Sequence, residues 1–324
     1  MNVLITGASG SVGHYLIDYI RRVEPNAHVT GIGRRILNGR VGTDYLQCDL
    51  AEHKGLSFLA QLIVEKKPAV VFHLASDAVV KLSFDNPYSY LANNILCTSN
   101  LYEAIRAAKS TVTCILASTS EVYGAVPEFE NPIIESRPFA PINPYAISKC
   151  TQEHLARFYW RTYGIKTVIT RAFGYVNPLR KDLVATAIAR QLVEIEREGG
   201  GQVRHGNTTP VRTFCDVRDV AEAYWLAATM CEPGEAYNVG SEDPVSVGDL
   251  IQCLTSEALR TAATPFEIEF IMDESLTRPA DVTRCVPDCS KFRTVTGWEP
   301  KIPLRESLGW LIECARNEDH KNNK

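Results

Sequence analysis

Several large protein classes are excluded by what this sequence lacks. No apolar run approaches the roughly 18 residues needed to span a bilayer. The opening Met1-Asn2-Val3-Leu4 carries neither a basic leader nor a small-residue cleavage site, so a cytoplasmic protein with no membrane partner is expected. Positive charge is not in excess: 34 Lys and Arg stand against 38 Asp and Glu, for a net charge of −4. That balance gives no electrostatic footprint for nucleic acid. Ten cysteines are many for 324 residues, yet none forms a CxxC pair. The closest two, Cys285 and Cys289, have no histidine cluster beside them, so no metal site is expected. The cysteines read as small buried hydrophobes kept reduced. Internal repeats are missing as well.

What is present is an alternation of short apolar runs and helix-like stretches. Val3-Leu4-Ile5, His28 to Gly33, Tyr45 to Cys48, Val70 to Leu74, Cys114 to Ala117, Thr167 to Phe173 and Ala236 to Val239 read as strands. Between them lie helical stretches at Val12 to Arg22, 56–66, 88–108, 145–163 and 218–231. Strands joined through helices imply βαβ crossovers, hence an α/β, Rossmann-type, doubly wound parallel sheet. After residue 173 the pattern loosens into helix-like stretches at 183–198 and 247–261 among glycine- and proline-containing loops. We therefore expect a cofactor-binding domain over residues 1–173 plus about 211–240. A smaller substrate-binding lobe is expected over 174–210 and 241–316, with the polar residues 317–324 as a frayed tail.

The first strand runs into Thr6-Gly7-Ala8-Ser9-Gly10-Ser11-Val12-Gly13, glycines three apart between strand and helix. Gly7 permits the tight turn, Gly10 lets backbone approach a pyrophosphate, and Gly13 lets helix and strand pack closely. The helix N-terminus adds free N–H groups and positive dipole. In this context the turn points to a dinucleotide rather than to an ordinary glycine loop. At the end of the second strand, where an NAD enzyme places Asp or Glu for the ribose 2′-hydroxyl, stand Gly33, Arg34 and Arg35. A missing carboxylate and two guanidinium groups suit a 2′-phosphate and favour NADP(H) over NAD(H); a solvated basic loop is the alternative.

Tyr145-Ala146-Ile147-Ser148-Lys149 follows Asn143-Pro144 at a helix start, one element after the fifth strand. Four residues apart, the phenol and the ammonium share one helix face. A phenol titrates near 10. The ammonium, together with the charge of an oxidised nicotinamide, is expected to lower it and make Tyr145 an acid–base group at neutral pH. Two residues beyond Thr119, Glu121 is either a base for a sugar C5 proton or a surface carboxylate.

These segments resemble the extended short-chain dehydrogenase/reductase family of nucleotide-sugar epimerases, dehydratases and reductases, and the resemblance covers nearly the whole chain. It rests on the GxxGxxG turn, His73-Leu74-Ala75, the helix from Asn94 to Leu101 with Cys97 in place of glycine, Ser118 to Gly124 as (S/T)xxVYG, and YxxxK. Farther along it rests on Val211 to Val220, Tyr237 to Gly240, Arg278 to Asp281 and Gly297 to Pro300. The resemblance implies that Thr119 aligns the substrate oxygen beside Tyr145 and Lys149. It places Gly7, Ser9, Gly10, Ser11, Val12, Gly13, Arg34, Arg35, Asp49, Leu50, Leu74, Ala75, Ser76, Asn94, Ala117, Tyr145, Lys149 and Phe173 around the cofactor. It puts Ser76, Thr119, Gly174, Asn177, Val184, Arg212 and Arg278 around the substrate, the two arginines on its diphosphate. It also implies a homodimer through the helices near 88–108 and 145–163. One departure stands out: the family reads RxFNxxGP after the sixth strand, whereas this chain reads Arg171-Ala172-Phe173-Gly174-Tyr175-Val176-Asn177-Pro178.

Within the family, the stretch from Ala187 to Glu196, Gly206-Asn207 and the segment around Asp216 to Leu226 resemble GDP-4-keto-6-deoxyhexose reductases. The stretches Ala117 to Gly124 and Gly31 to Arg35 also resemble GDP-mannose 4,6-dehydratases. A GDP-linked sugar and a reductase are expected first, a dehydratase using Glu121 second, and a 4-epimerase third. From another class, a non-catalytic NADP-binding sensor stays open.

Overall fold

A computed structural model describes residues 1–35, 43–277 and 282–322, with side chains described as far as 318. Its first half alternates strand and helix: β1 (Asn2–Thr6), α1 (Ser11–Val23), β2 (His28–Gly33), β3 (Thr43–Gln47), α2 (His53–Lys66), β4 (Val70–His73), α3 (Val80–Asp85), α4 (Pro87–Ala107), β5 (Thr113–Thr119), α5 (Pro144–Tyr163) and β6 (Thr167–Ala172). Then follow β7 (Tyr175–Val176), α6 (Val184–Glu198), β8 (Gly200–His205), β9 (Val211–Arg212), β10 (Cys215–Asp216), α7 (Val217–Met230), β11 (Ala236–Val239), β12 (Val245–Ser246), α8 (Val247–Thr261), β13 (Glu267–Met272), α9 (Ser290–Thr296) and α10 (Leu304–Asn322).

Seven strands form one sheet in the order β11-β6-β5-β4-β1-β2-β3, and every neighbouring pair is parallel. The expected doubly wound Rossmann-type sheet is therefore present. Its strands read as apolar runs because helices cover both faces. Leu16, Ile17 and Ile20 of α1 and Val220 and Tyr224 of α7 fill one face. Leu59 and Leu62 of α2, Leu101 and Ile105 of α4 and Tyr159 of α5 fill the other. The chain winds outward from β1 through β2 to β3, then returns to β4 and winds the opposite way. This reversal opens a crevice at the carboxyl ends of β1 and β4, where ligands of such sheets bind.

The second half departs from the expected pattern in three places. Strands β8 and β13, which the sequence reading left out, pair in parallel over six residues, Gly200 with Glu267 through His205 with Met272. Gly200 and Gly201 weaken the strand signal of β8, whereas Glu267-Ile268-Glu269-Phe270 carries the alternation that marks β13. Within the stretch 241–316 given to the lobe, Phe292 and Trp298 pack with the core on the α1–α7 face of the sheet. The separate lobe core joins side chains of α6, α8 and α10, among them Leu192, Leu254 and Leu311, with Val176 of β7 and Val203 of β8. Finally, α10 continues to Asn322, into the stretch 317–324 expected as a tail. Glu318 on this turn pairs with Arg190 of α6 at 3.4 Å, a contact no local pattern announces. No helix among the described residues is long and apolar enough to cross a membrane.

Candidate active site

The crevice floor is built largely from backbone. Gly7 turns the chain out of β1 with φ of 69°, and a Cβ there would lie 2.7 Å from the Ala75 backbone nitrogen. The N–H of Gly10 donates to the carbonyl of Gly7 at 2.8 Å. Helix α1 then starts with no side-chain cap, so the N–H groups of its first turn, around Ser11, Val12 and Gly13, are available to an anion. Ala75 and Leu74 close the turn from the end of β4: the Ala75 N–H reaches Thr6 Oγ1 at 3.3 Å. At the end of β2, a Cβ on Gly33 would come within 2.6 Å of Ser9 Oγ, which leaves little room for a carboxylate side chain. The neighbouring guanidinium of Arg34 bonds Asp77 at 2.6 Å while staying more than half exposed, and Arg35 is exposed beside it. Asp49 accepts the Ala51 N–H at 3.0 Å, with Leu50 buried next to it. Ser76 donates to the Asp77 carbonyl at 3.3 Å. Asn94 is fully buried and spends its amide on protein: it accepts from the Asp77 N–H at 2.7 Å and donates to the Ser148 hydroxyl at 2.9 Å. It thus ties the loop after β4 to the helix that carries Tyr145 and Lys149.

The reactive groups converge where β5 ends. Asn143 caps α5 by accepting the Ala146 N–H at 2.7 Å, and Pro144 starts the helix. This places Tyr145 and Lys149 on the turn that faces β5. Lys149 donates to the carbonyl of Ala117 at 2.9 Å, and its Nζ lies 5.8 Å from the centre of the Tyr145 ring. Burial pushes the ammonium down to about 8, against the pull of Cys97 and Glu153. Tyr145 is nearly buried. Burial, with Tyr175 next in size, pushes its phenol well above the ordinary value; Arg180 and a hydrogen bond with Thr119 pull it back, and Glu121 pushes it up again. The sequence expectation joined the Lys149 ammonium to the charge of an oxidised nicotinamide; on the protein's own groups, burial is the largest influence on the phenol. Glu121 accepts from the Asn143 side-chain amide at 2.8 Å. Behind these residues, Ser118 donates to Glu153 at 2.6 Å. Arg171 of β6 forks onto the same carboxylate at 3.0 and 2.8 Å, both side chains being essentially inaccessible.

The lobe-side wall follows β6. Phe173 is buried and its N–H bonds the Val239 carbonyl at 2.9 Å. At Gly174, a Cβ would lie 2.4 Å from the Thr213 carbonyl oxygen. The asparagine usual in the family cannot stand there unless the 213 strand-end moves, which accounts for the departure seen in the sequence. Asn177 is fully buried and accepts the Leu179 N–H at 3.0 Å, so its side chain points into the protein. Val184 opens α6 and packs on the lobe core. Arg212 lies on β9 and donates to the Val211 carbonyl at 2.9 Å. Arg278 lies outside the described residues. The sequence reading passed over Tyr175 and Arg180. Arg180 follows Asn177-Pro178-Leu179, where the family motif has ended, and nothing local marks it. Among the described residues no group of three or more His, Cys, Asp and Glu side chains could hold a metal ion, and His73, bonded to Thr6 at 2.7 Å and Thr98 at 2.9 Å, is held neutral by burial.

Comparison with known proteins fits this geometry. The profile of the GDP-mannose 4,6 dehydratase family matches residues 4–309. The GDP-6-deoxy-D-mannose reductase of Pseudomonas aeruginosa is 30% identical over 312 residues, covering 96% of this chain and 95% of its own. The dTDP-D-glucose 4,6-dehydratase of Homo sapiens is 26% identical, covering 98% and 91%. Among solved structures, RMD from Pseudomonas aeruginosa complexed with NADPH superposes with a TM-score of 0.83 at 28% identity, over 98% of this chain and 99% of that one. The UDP-glucose 4-epimerase of Thermus thermophilus with NAD gives 0.83 at 27%, with the same coverage.

Proposed function

The chain belongs to the GDP-mannose 4,6-dehydratase family of nucleotide-sugar enzymes, and on that premise we propose that it is an NADP(H)-dependent reductase of a GDP-linked 4-keto-6-deoxyhexose. Tyr145, buried beside Thr119 at the end of β5, is the acid–base group of that reaction. Its phenol can give a proton to a ketone or take one from a hydroxyl, and the observation that carries the reductive direction is the likeness of the stretches 187–196 and 216–226 to GDP-4-keto-6-deoxyhexose reductases. The likeness to a GDP-6-deoxy-D-mannose reductase over 96% of the chain points the same way.

The residues fit the cofactor. The glycines of the Gly7–Gly13 turn bring its backbone close to Leu74 and Ala75 at the end of β4 and leave the first N–H groups of α1 uncapped for a pyrophosphate, and Gly33 with Arg34 and Arg35 favours a 2′-phosphate. When bound there, NADPH supplies hydride for the sugar C4. The chain's own groups do the rest. Thr119 orients the carbonyl oxygen O4, Tyr145 gives it a proton, and Lys149 stabilises the phenolate that remains. Arg212 takes the substrate diphosphate.

A dehydratase is the second reading, favoured by Glu121, which stands in the turn directly after Thr119 and acts electrostatically on Tyr145. Against it, an oxygen of Glu121 is engaged by the Asn143 cap. A sensor that binds NADP(H) without turnover would not need Thr119, Tyr145 and Lys149 together. Cofactor balance separates the readings. The reductase consumes one NADPH per 4-keto-6-deoxy sugar, undiminished in Glu121→Gln. A 4-keto product formed from GDP-mannose without net cofactor change, and lost in Glu121→Gln, assigns the dehydratase instead. We also propose a homodimer through α4 and α5, on whose outer surfaces Leu96, Ile147, Phe158 and Tyr163 are each more than 40% exposed; light scattering at micromolar concentration tests it, and a monomeric mass rejects it.

A further inference from the structure

Thr119 and Tyr145 belong to different elements, the end of β5 and the first turn of α5, and a shared task requires a fixed distance between them. A run of hydrogen bonds joins the two. The hydroxyl oxygen of Thr119 accepts the Glu121 N–H at 3.2 Å. The carboxylate of Glu121 accepts from Nδ2 of Asn143 at 2.8 Å. The oxygen of the same amide accepts the Ala146 N–H at 2.7 Å and so caps α5, one residue beyond Tyr145. Glu121 thus holds Thr119 by its backbone and the start of α5 by its side chain. The turn that carries it is anchored in turn. Val122 and Tyr123 are fully buried. The Val122 carbonyl accepts the Ala140 N–H at 3.0 Å, on the segment that leads to Asn143, and the Glu121 carbonyl accepts the Gly124 N–H at 3.1 Å.

The same bonds restrict what each partner can do. A threonine hydroxyl has one proton and two lone pairs. With a lone pair given to the Glu121 N–H, the proton is left for Tyr145 or for a substrate oxygen. Asn143 is 3% exposed, and a buried amide donor that loses its acceptor is costly. Without an acceptor at residue 121, the amide would have to turn to find another, and the cap of α5 would turn with it. Resting on the reading of Thr119 and Tyr145 as the reacting pair, we propose that Glu121 is a positioning residue that sets these two side chains relative to one another through Asn143. The role requires a hydrogen-bond acceptor at residue 121 and no negative charge. It therefore differs from that of a base for a sugar proton, which requires the carboxylate itself.

The test compares Glu121→Ala, Glu121→Gln, Asn143→Asp and the pair Glu121→Gln/Asn143→Asp. Aspartate still caps α5 but has no proton to give Glu121; in the pair, the glutamine amide donates to the aspartate, so the bond returns with its direction reversed. The first measurement is NMR of protein labelled at tyrosine rings and threonine methyl groups, with NADP present and no sugar, the signals being assigned with Tyr145→Phe and Thr119→Val. Glu121→Ala and Asn143→Asp should displace the signals of Tyr145 and Thr119, while Glu121→Gln and the pair should leave them near their native positions. The second is turnover of a GDP-linked 4-keto-6-deoxyhexose with NADPH. Glu121→Ala and Asn143→Asp should each lower kcat about 10–100-fold, with KM and NADP(H) binding near native, and Glu121→Gln and the pair should recover most of it. Native signals and native kcat in Glu121→Ala overturn the proposal. So does a loss in Glu121→Gln equal to that in Glu121→Ala, which makes the charge the requirement, and so does a pair no better than Asn143→Asp alone. Unchanged NADP binding shows that the fold is kept; if Asn143→Asp does not fold, the two Glu121 variants decide by themselves. If the native protein oxidises no NADPH with the keto sugar, the reductase reading fails, and the spectra, taken without sugar, still decide the role of Glu121.

Discussion

The floor of the crevice and its lobe-side wall are made by different means. The floor, from Gly7 to Gly13 and from His73 to Ala75, is backbone brought close by missing side chains and by parallel register. The wall, from Phe173 to Asn177 and around Arg180 and Arg212, is made of side chains from β7, the loop toward α6 and β9, which meet only through tertiary packing. Backbone geometry tolerates few sequences and so leaves a motif. Side chains that meet across loops can be exchanged more freely, and the departures from the family pattern lie here: glycine at 174 and asparagine at 177.

Tyr145 stands where the two regions meet, and its replacement separates them most sharply. Tyr145→Phe should cut turnover by about 10²–10⁴-fold, while NADP(H) affinity by calorimetry stays near native; a matching loss of cofactor binding would mean the floor depends on the phenol. Next in size is the support behind the floor. Glu153→Gln leaves Arg171 a buried cation without its carboxylate, and should cost about 3–5 kcal/mol in denaturant-induced unfolding. A change below 1 kcal/mol would show that Tyr123 and the Glu135 carbonyl, which also bond Arg171, carry that charge by themselves. In the wall, Gly174→Asn restores the family residue yet drives a Cβ against the Thr213 oxygen, with an expected loss of about 1–3 kcal/mol. Unaltered thermal stability would mean that the wall is loose enough to take the usual asparagine. The smallest effect is expected at the rim of the floor: Arg34→Ala with Arg35→Ala should weaken NADP(H) about tenfold, or ~1.4 kcal/mol, and leave NAD(H) unchanged. Equal weakening of both cofactors would place the arginines on something other than the 2′-phosphate.

How much could be read in advance follows the same division. The sheet was legible from its apolar runs, and helices α5, α6 and α8 fell within a residue of their expected bounds, since apolar periodicity and capping residues such as Asn143 are local signals. The glycine turn and the Thr119, Tyr145 and Lys149 set were legible because chain order alone brings them to one end of a doubly wound sheet. The pairing of β8 with β13 spans more than 60 residues and no spacing rule reaches it. Ionisation was the least legible. Spacing places Lys149 on the same helix face as Tyr145, but the burial that acts on the phenol comes from side chains brought together by tertiary packing, Tyr175 among them, which no motif predicts.

Helix α5 carries Tyr145, Lys149 and Glu153 at successive turns, and the last of these is locked to β6 through Arg171 and to β5 through Ser118. The enzyme is therefore a vice with one jaw bolted to the bench. The other jaw is the lobe-side wall, whose residues on β7 and the loop toward α6 lie outside this buried set. Residues there can be exchanged without disturbing the alignment of Tyr145, and a laboratory search for altered specificity has its productive positions on that side.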